Sequence, residues 1–197
     1  MSAKKGENRL NSHRRPASKR NLTVGVFVGR FQPFHNGHLE AVRYALRKVD
    51  YLYVVIGSSQ KDHERDNPFT AGERIAMIKA ALDHGDVDPK RWMAIPIADT
   101  DSHALWPAIL RATVPPFDIV FSNDGLTTRL LKENGVKVEA VKYLERSSYS
   151  ATNVRNRILE MKEWEKLVPE PVASMVKSIG GVERVRSMIH KDLEGEA

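Results

Sequence analysis

Two histidines three residues apart, His35 and His38, have the types and spacing best suited to chemistry in this chain. They follow an apolar run at residues 24–28 and precede a helical pattern that starts near Leu39, so they lie between a strand and a helix. The amides and dipole of a helix N-terminus attract anions, and imidazoles there can donate hydrogen bonds to phosphate oxygens. Gly37 has no Cβ that would keep a phosphate from the backbone. We therefore expect a phosphate group to bind here.

Two other interpretations of the histidine pair stay open. Histidines at this spacing can form half of a zinc site, although a third ligand is missing nearby and the chain has no cysteine. The pair can also serve only as caps for backbone groups of the helix.

A second string, at residues 149–155, also predicts an anion site at the start of a helix. Ser150 and Thr152 offer hydroxyl groups beside first-turn amides, and Arg155 follows one turn later. Alone, this string is more typical of a helix cap with a surface arginine.

Further polar candidates follow the third and fourth apolar runs of the chain. Asp99 and Trp106 come after residues 92–97, and Asn123 comes after residues 117–121. A single tryptophan is more often a core residue, and the string Ser122-Asn123-Asp124 is as plausible as a helix cap as it is as a nucleotide contact.

The elements that position these residues alternate between strands and helices. Parallel sheets built in this way bind ligands beyond the carboxyl ends of their strands, where each string above falls. Thr70 and Glu73 form a capping-box pattern that predicts a helix over residues 70–83, in which Arg74 either contacts the motif loop or pairs on the helix surface. Five strands are predicted, at residues 24–28, 51–56, 92–97, 117–121 and, at an edge of the sheet, 136–141.

Composition limits the remaining possibilities. The chain has 197 residues and 41% hydrophobic content, which fits one well-filled domain. It has no cysteine, which excludes disulfides and thiolate chemistry, and no apolar segment typical of a signal peptide or membrane helix. We expect a cytoplasmic protein.

The net charge of +6 lies in the N-terminal tail. Residues 1–20 contain seven basic residues and one acidic residue, so the rest of the chain is formally neutral. We expect residues 1–21 to form a disordered basic tail, residues 22–197 to form the folded domain, and residues 147–197 to be its helical C-terminal part. A neutral body makes nucleic-acid binding an unfavoured hypothesis.

Two strings carry a family resemblance. Residues 29–39, GRFQPFHNGHL, resemble the HxGH signature of the nucleotidyltransferase superfamily, and residues 149–155 resemble its ISSTxxR element, with Ala151 where serine or glycine is common. From about residue 24 to residue 185 the chain is similar to the archaeal-type nicotinamide-nucleotide adenylyltransferases. The strings that carry this similarity lie at residues 57–60, 67–74, 147–150, 164 and 167–170.

This resemblance implies an α/β fold: a Rossmann-like nucleotidyltransferase fold with a five-stranded parallel sheet and a C-terminal helical appendage. It also implies the reaction of ATP with nicotinamide mononucleotide to give NAD and pyrophosphate, a requirement for Mg²⁺, and a homo-oligomer. No carboxylate cluster marks a metal cage in the sequence, so we expect Mg²⁺ to arrive on ATP.

The resemblance also implies roles for single residues. Asp99 and Trp106 would bind the nicotinamide nucleotide, with Trp106 stacked on the ring. His35 and His38 would bind the triphosphate, with His38 on the α-phosphate. Arg30 and Arg155 would bind the transferring and leaving phosphates, and further ATP contacts are expected from Gly29, Phe31, Gly37, Ser150, Thr152 and Asn123.

Two alternatives remain at this point. One is a related cytidylyl- or adenylyltransferase that acts on another phosphate acceptor. The other is a nucleotide-binding regulator that is not an enzyme, which the intact histidines and Arg155 make less favoured.

Overall fold

Five parallel strands form one sheet in the computed structural model, which describes residues 22–141 and 149–194. The predicted basic tail and residues Ser147 and Ser148 lie outside the described residues. The strand order is β3-β2-β1-β4-β5, and each neighbouring pair is parallel. The strands are β1 (Val24–Gly29), β2 (Tyr51–Ile56), β3 (Trp92–Pro96), β4 (Ile119–Phe121) and β5 (Val138–Glu139).

Helices connect the strands and continue beyond the sheet. Seven α-helices occur among the described residues, and one-turn 3-10 helices occur at Pro89–Arg91, His103–Leu105 and Glu165–Leu167. The α-helices are α1 (Asn36–Leu46), α2 (Ala71–His84), α3 (Trp106–Thr113), α4 (Gly125–Glu133), α5 (Ala151–Leu159), α6 (Glu170–Ser178) and α7 (Gly181–Glu194). No described helix combines the length and the apolar character needed to cross a membrane.

Two apolar layers cover the sheet because successive strand residues point to opposite faces. Phe27 belongs to the layer formed with α1, α2 and the C-terminal helices, whereas its neighbour Val26 belongs to the layer formed with α3 and α4. Val154 of α5 and Val176 of α6 are fully buried in the same layer as Phe27. The C-terminal helices therefore share the core of the sheet.

The predicted fold class is confirmed, and the last strand is the main local difference. The run at residues 136–141 is a strand only over Val138–Glu139, at the edge of the sheet as expected. Its only neighbour among the described strands, β4, has three residues, so few backbone partners exist there for a longer strand. Beyond β5, the side-chain amide of Asn123 replaces a strand partner: it accepts from Val141 N at 2.9 Å and donates to Val141 O at 2.7 Å.

Candidate active site

Two adjoining cavities lie at the carboxyl ends of the strands. The first cavity, of about 440 Å³, lies between the turn after β1 and the N-terminus of α5. The second cavity, of about 360 Å³, lies between the ends of β1 and β2, the residues after β3, and α4. Val28, Arg30, Ser122 and Asp124 line both, so the cavities meet at a common wall. The first cavity is lined by eight predicted site residues: Arg30, Phe31, His35, His38, Asn123, Ser150, Thr152 and Arg155.

The histidine pair caps α1 and lines the first cavity at the same time. His35 is the N-cap, and its Nδ1 accepts a hydrogen bond from His38 N at 3.3 Å. The Nδ1 of His38 accepts in turn from His35 N at 3.2 Å, and the two rings stack with centroids 3.5 Å apart. The capping interpretation is therefore correct, and it coexists with a position on the cavity. Because both Nδ1 atoms accept from amides, each neutral ring carries its proton on Nε2.

Burial keeps both rings uncharged near neutral pH. It lowers the pKa of His35 to about 3, and it lowers the pKa of His38 well below its ordinary value, with a smaller contribution from the charge of His35. Phe31 and Phe34 add an apolar wall, with ring centroids 4.8 and 5.3 Å from that of His38. The pair thus offers neutral Nε2–H donors to a ligand in the first cavity.

The glycines next to the histidines make room for protein atoms. A Cβ on Gly37 would lie 3.0 Å from Tyr149 Cβ and 3.1 Å from the ring of His35. A Cβ on Gly29 would lie 2.8 Å from the ring of Phe31, whose backbone has a φ of 54°. Gly29 lines the second cavity, although the sequence predicts it at ATP. In the structure, the missing Cβ of Gly37 makes room for Tyr149 and His35. The reason expected from the sequence is different, namely that it lets a phosphate approach the backbone.

The second string forms the opposite wall of the first cavity. Ser150 is the N-cap of α5, and its Oγ accepts from Asn153 N at 3.1 Å. Arg155 is 5% exposed, so it does not lie on the surface. Its guanidinium donates to Gln32 O at 3.0 Å and to Asp66 Oδ1 at 2.6 Å. The two strings, more than 100 residues apart in the sequence, therefore meet at one cavity, as the sequence predicts.

Asn123 lines the first cavity but does not cap α4. Asp124 is the N-cap, and its Oδ1 accepts from Thr127 N at 2.7 Å. The helix-cap interpretation of residues 122–124 is therefore correct through Asp124, whereas the amide of Asn123 is bonded to Val141.

The second cavity combines an apolar side with a polar side. Trp106, at the start of α3, is half-buried and shares the cavity with Leu126 and Leu130. On the polar side, Asp99 Oδ1 accepts from Ser58 Oγ at 3.0 Å, and Asp99 Oδ2 lies 3.6 Å from Lys61 Nζ. Such a cavity can hold a flat ring against apolar atoms while carboxylate and hydroxyl oxygens bind its polar substituents.

Sequence reasoning gives no role to Gln32 and leaves two interpretations open for Arg74, of which contact with the motif loop is correct. Gln32 is 1% exposed and forms reciprocal hydrogen bonds of 2.9 Å with the backbone N and O of Phe69. Arg74 is fully buried, so the interpretation that it pairs on the helix surface is wrong. It donates to backbone carbonyls at the ends of β1 and β2. The sequence signal for Arg74 is its position at the end of the 67–74 string, in the first turn of the capped helix, and this position does not by itself indicate burial.

The described part of the chain holds no group of three or more histidine, acidic or cysteine side chains that could bind a metal ion. Asp124 is an exposed carboxylate on the wall common to both cavities. The donor set fits a metal that brings its own phosphate ligands.

Comparison with known proteins places the chain among nucleotide-transferring enzymes. The model of the cytidylyltransferase-like family matches residues 26–157. The nicotinamide-nucleotide adenylyltransferase of Archaeoglobus fulgidus is 46% identical over 170 residues, which cover 84% of this chain and 97% of that protein. The enzyme of the same name from Pyrococcus furiosus is 42% identical over 171 residues, covering 86% and 90%.

A solved structure shares the fold. The bifunctional NMN adenylyltransferase/ADP ribose pyrophosphatase of Francisella tularensis, complexed with AMP and a manganese ion, matches with a TM-score of 0.73 at 22% identity. The match covers 88% of this chain and 53% of that one, so this chain spans about half the length of the bifunctional protein.

Proposed function

The chain belongs to the cytidylyltransferase-like family and, within it, to the nicotinamide-nucleotide adenylyltransferases, and we propose on this basis that it makes NAD from ATP and nicotinamide mononucleotide. The observation that supports the proposal most directly is that two cavities share a wall at Arg30. One cavity is lined by side chains that can donate hydrogen bonds to phosphate, and the other is lined by Trp106 and Asp99. A phosphate oxygen of the mononucleotide attacks the α-phosphorus of ATP. The bond from this phosphorus to the bridging oxygen breaks, and pyrophosphate leaves.

The site supplies charge neutralisation and positioning. The attacking phosphate monoester is largely dianionic at neutral pH, so the reaction needs no strong general base. The Nε2–H groups of His35 and His38 donate to phosphate oxygens without themselves changing charge, with His38 at the α-phosphate. Arg30 and Arg155 offset the charge of the transferring and leaving phosphates.

We assign ATP to the first cavity and the acceptor to the second. Ser150, Thr152 and the first-turn amides of α5 support this assignment, because hydroxyls and helix N-termini bind phosphates well. Trp106 supports a ring stacked in the second cavity, and Asp99 supports hydrogen bonds to its polar groups.

A divalent cation takes part as a complex with ATP. The absence of a cluster of metal-ligating side chains among residues 22–141 and 149–194 supports coordination mainly by phosphate oxygens and water. We propose Mg²⁺ as this ion, by its usual association with nucleoside triphosphates. When bound, it offsets part of the negative charge of the phosphates.

Several expectations from the sequence stay proposals. Residues 22–197 form the nucleotidyltransferase domain, with residues 147–197 as its helical part, and the tail at residues 1–21 is not needed for catalysis. The protein is a cytoplasmic homo-oligomer, and it does not bind nucleic acid.

Steady-state rates with a panel of acceptors and triphosphates test the proposed function. Purified protein with Mg²⁺ should form NAD from ATP and nicotinamide mononucleotide, and nicotinate mononucleotide in the same assay measures selectivity for the amide. Activity only with CTP, or only with an acceptor such as phosphopantetheine, would show that the substrate assignment is wrong.

A further inference from the structure

A fully buried arginine lies beneath the second cavity without touching it. Arg74, in the first turn of α2, has no exposed surface and is the largest of the fully buried side chains. Its guanidinium donates to carbonyl oxygens at 2.9 to 3.4 Å, and all of them belong to the backbone. The accepting residues are Thr70, Arg30, Gly57, Ser58, Ser59 and Lys61.

The contacts of Arg74 require a guanidinium. No carboxylate within the described residues forms an ion pair with it, so backbone carbonyls make all of its direct contacts, while Asp62 and Asp99 act on its charge from a longer distance. Burial lowers the pKa of Arg74, with Asp62 acting in the opposite direction. A planar fork with five N–H donors can bind several carbonyls at once, whereas a lysine ammonium has only three donors at one point.

The carbonyls that Arg74 binds belong mostly to one loop. Four of them are in residues 57–61, and this loop leads into the second cavity through Gly57 and Ser58. From there, Ser58 Oγ donates to Asp99 at 3.0 Å. A fifth contact, to Arg30 O at 3.2 Å, joins this loop to the end of β1.

We propose that Arg74 is a positioning residue for the acceptor, which holds the 57–61 loop so that Ser58 and Asp99 present their oxygens to the mononucleotide. This inference rests on the proposed function. Arg74 itself lines neither cavity, whereas Arg30, Gly57 and Ser58, whose carbonyls it binds, line the second one, so it acts through these residues. Its loss should therefore weaken acceptor binding more than ATP binding.

The chain contains a matched control for this role. Arg91 also binds backbone carbonyls, with donation to Leu46, Val49 and Asp50 at 2.7 to 3.0 Å. These carbonyls lie at the start of β2, the opposite end of the sheet from both cavities. Substitution of Arg91 thus removes contacts to backbone carbonyls far from the site, and it shows the effect of such a loss on stability alone.

The test compares Arg74→Lys and Arg74→Gln with Arg91→Lys and Arg91→Gln, by Tm and by KM for each substrate, well below the Tm of each variant. All four substitutions should lower Tm. Arg74→Lys should raise KM for nicotinamide mononucleotide roughly tenfold or more, while KM for ATP changes less than about threefold. The Arg91 variants should keep both KM values.

Arg74→Lys keeps the charge and so permits the measurement even if Arg74→Gln does not fold. The proposal is overturned if Arg74→Lys has a lower Tm, like the Arg91 variants, but the same KM for the acceptor as the wild type. It is also overturned if KM rises equally for both substrates. Wild-type turnover tests the proposed function separately. If the wild type uses a different acceptor, the KM values of wild type and Arg74→Lys for that acceptor and for ATP are compared in the same way, and they still decide the role of Arg74.

Discussion

At the scale of single residues, two imidazoles cap α1 and, in the proposed function, also bind the phosphates of ATP. The Nδ1 atoms of His35 and His38 are bonded to backbone amides, so the rings cannot turn freely and their Nε2–H groups keep one direction. Such fixed donors are most effective where charge develops in the transition state. The same burial that fixes the rings also keeps them neutral near pH 7.

Replacing His38 by alanine should reduce turnover more than substrate binding. We expect kcat to fall by about 10²-fold to 10³-fold with a small change in KM for ATP, because the contact is strongest in the transition state. Loss of the capping-box bond from His35 N to His38 Nδ1 should also cost about 1 kcal/mol of stability. His84→Ala, on an exposed residue at the end of α2, is the control. Unchanged turnover in His38→Ala would remove His38 from the mechanism.

The lowered pKa of His35 predicts a loss of stability in acid. Between its ordinary value of 6.5 and about 3, the unfolded chain binds a proton at this position that the folded protein does not bind. The free energy of unfolding should therefore fall as the pH is lowered through this range, by up to about 1.4 kcal/mol per pH unit from this group. Asparagine can also cap a helix, so His35→Asn should reduce the slope in urea titrations between pH 4 and about 6.5. A slope equal to that of wild type would contradict the burial effect.

Asp66 should compete with phosphate for Arg155. Its carboxylate is 69% exposed, yet it lies 2.6 Å from the buried guanidinium, where it compensates the charge of the ligand-free site. A phosphate that binds Arg155 must share or displace this contact, and the two negative charges repel each other. Asp66→Asn should therefore bind ATP about threefold to tenfold more tightly in calorimetry. Asp62→Asn, on an exposed residue of the same loop, should bind ATP as tightly as the wild type. Weaker binding of ATP by Asp66→Asn would indicate that Asp66 orients Arg155 instead.

At the scale of elements, α2 connects the site to the C-terminal helices. Glu73 accepts from Thr70 N at 2.9 Å within the capping box. It also forms a bidentate pair with Arg184 of α7, at 2.7 and 2.9 Å. The neighbouring Arg74 binds the loops of the site. One helix turn thus joins α7 to the ends of β1 and β2.

Glu73→Gln should weaken this connection without damaging the chemistry. The pair with Arg184 is half-buried and hydrogen-bonded on both oxygens, so we expect a loss of about 1 to 2 kcal/mol in urea unfolding. Turnover well below the Tm should stay at the wild-type value. Glu183→Gln makes the same change at an exposed position of α7 and should have little effect. Equal losses in both variants would show that the pair contributes nothing specific.

The elements differ in how far their sequence determines them. The strands and α2 are predictable because apolar periodicity and the capping box are local signals. The length of β5 is not, because it depends on the few partners that β4 offers. The burial of Arg74 is also not predictable, because charge favours the surface unless tertiary contacts supply acceptors, here carbonyls from two loops.

At the scale of the whole molecule, the strand order brings distant strings together. β1 lies at the centre, between β2 and β4, so the loops after these three strands all open to one edge of the sheet. That the HxGH-like string and the string at residues 149–155 serve one site was implied by the family resemblance, whereas the shared wall of the two cavities required the structure. This wall at Arg30 is where the two substrates would meet.

The fate of labelled phosphorus tests adenylyl transfer to nicotinamide mononucleotide most directly. Protein, Mg²⁺ and the mononucleotide are incubated with ATP labelled at the α- or the γ-phosphorus, and the products are separated. The α-label should appear in NAD and the γ-label in pyrophosphate, and both products should form about 10²-fold to 10³-fold more slowly with His38→Ala. An α-label that stays in AMP, or that enters no dinucleotide, would contradict the account.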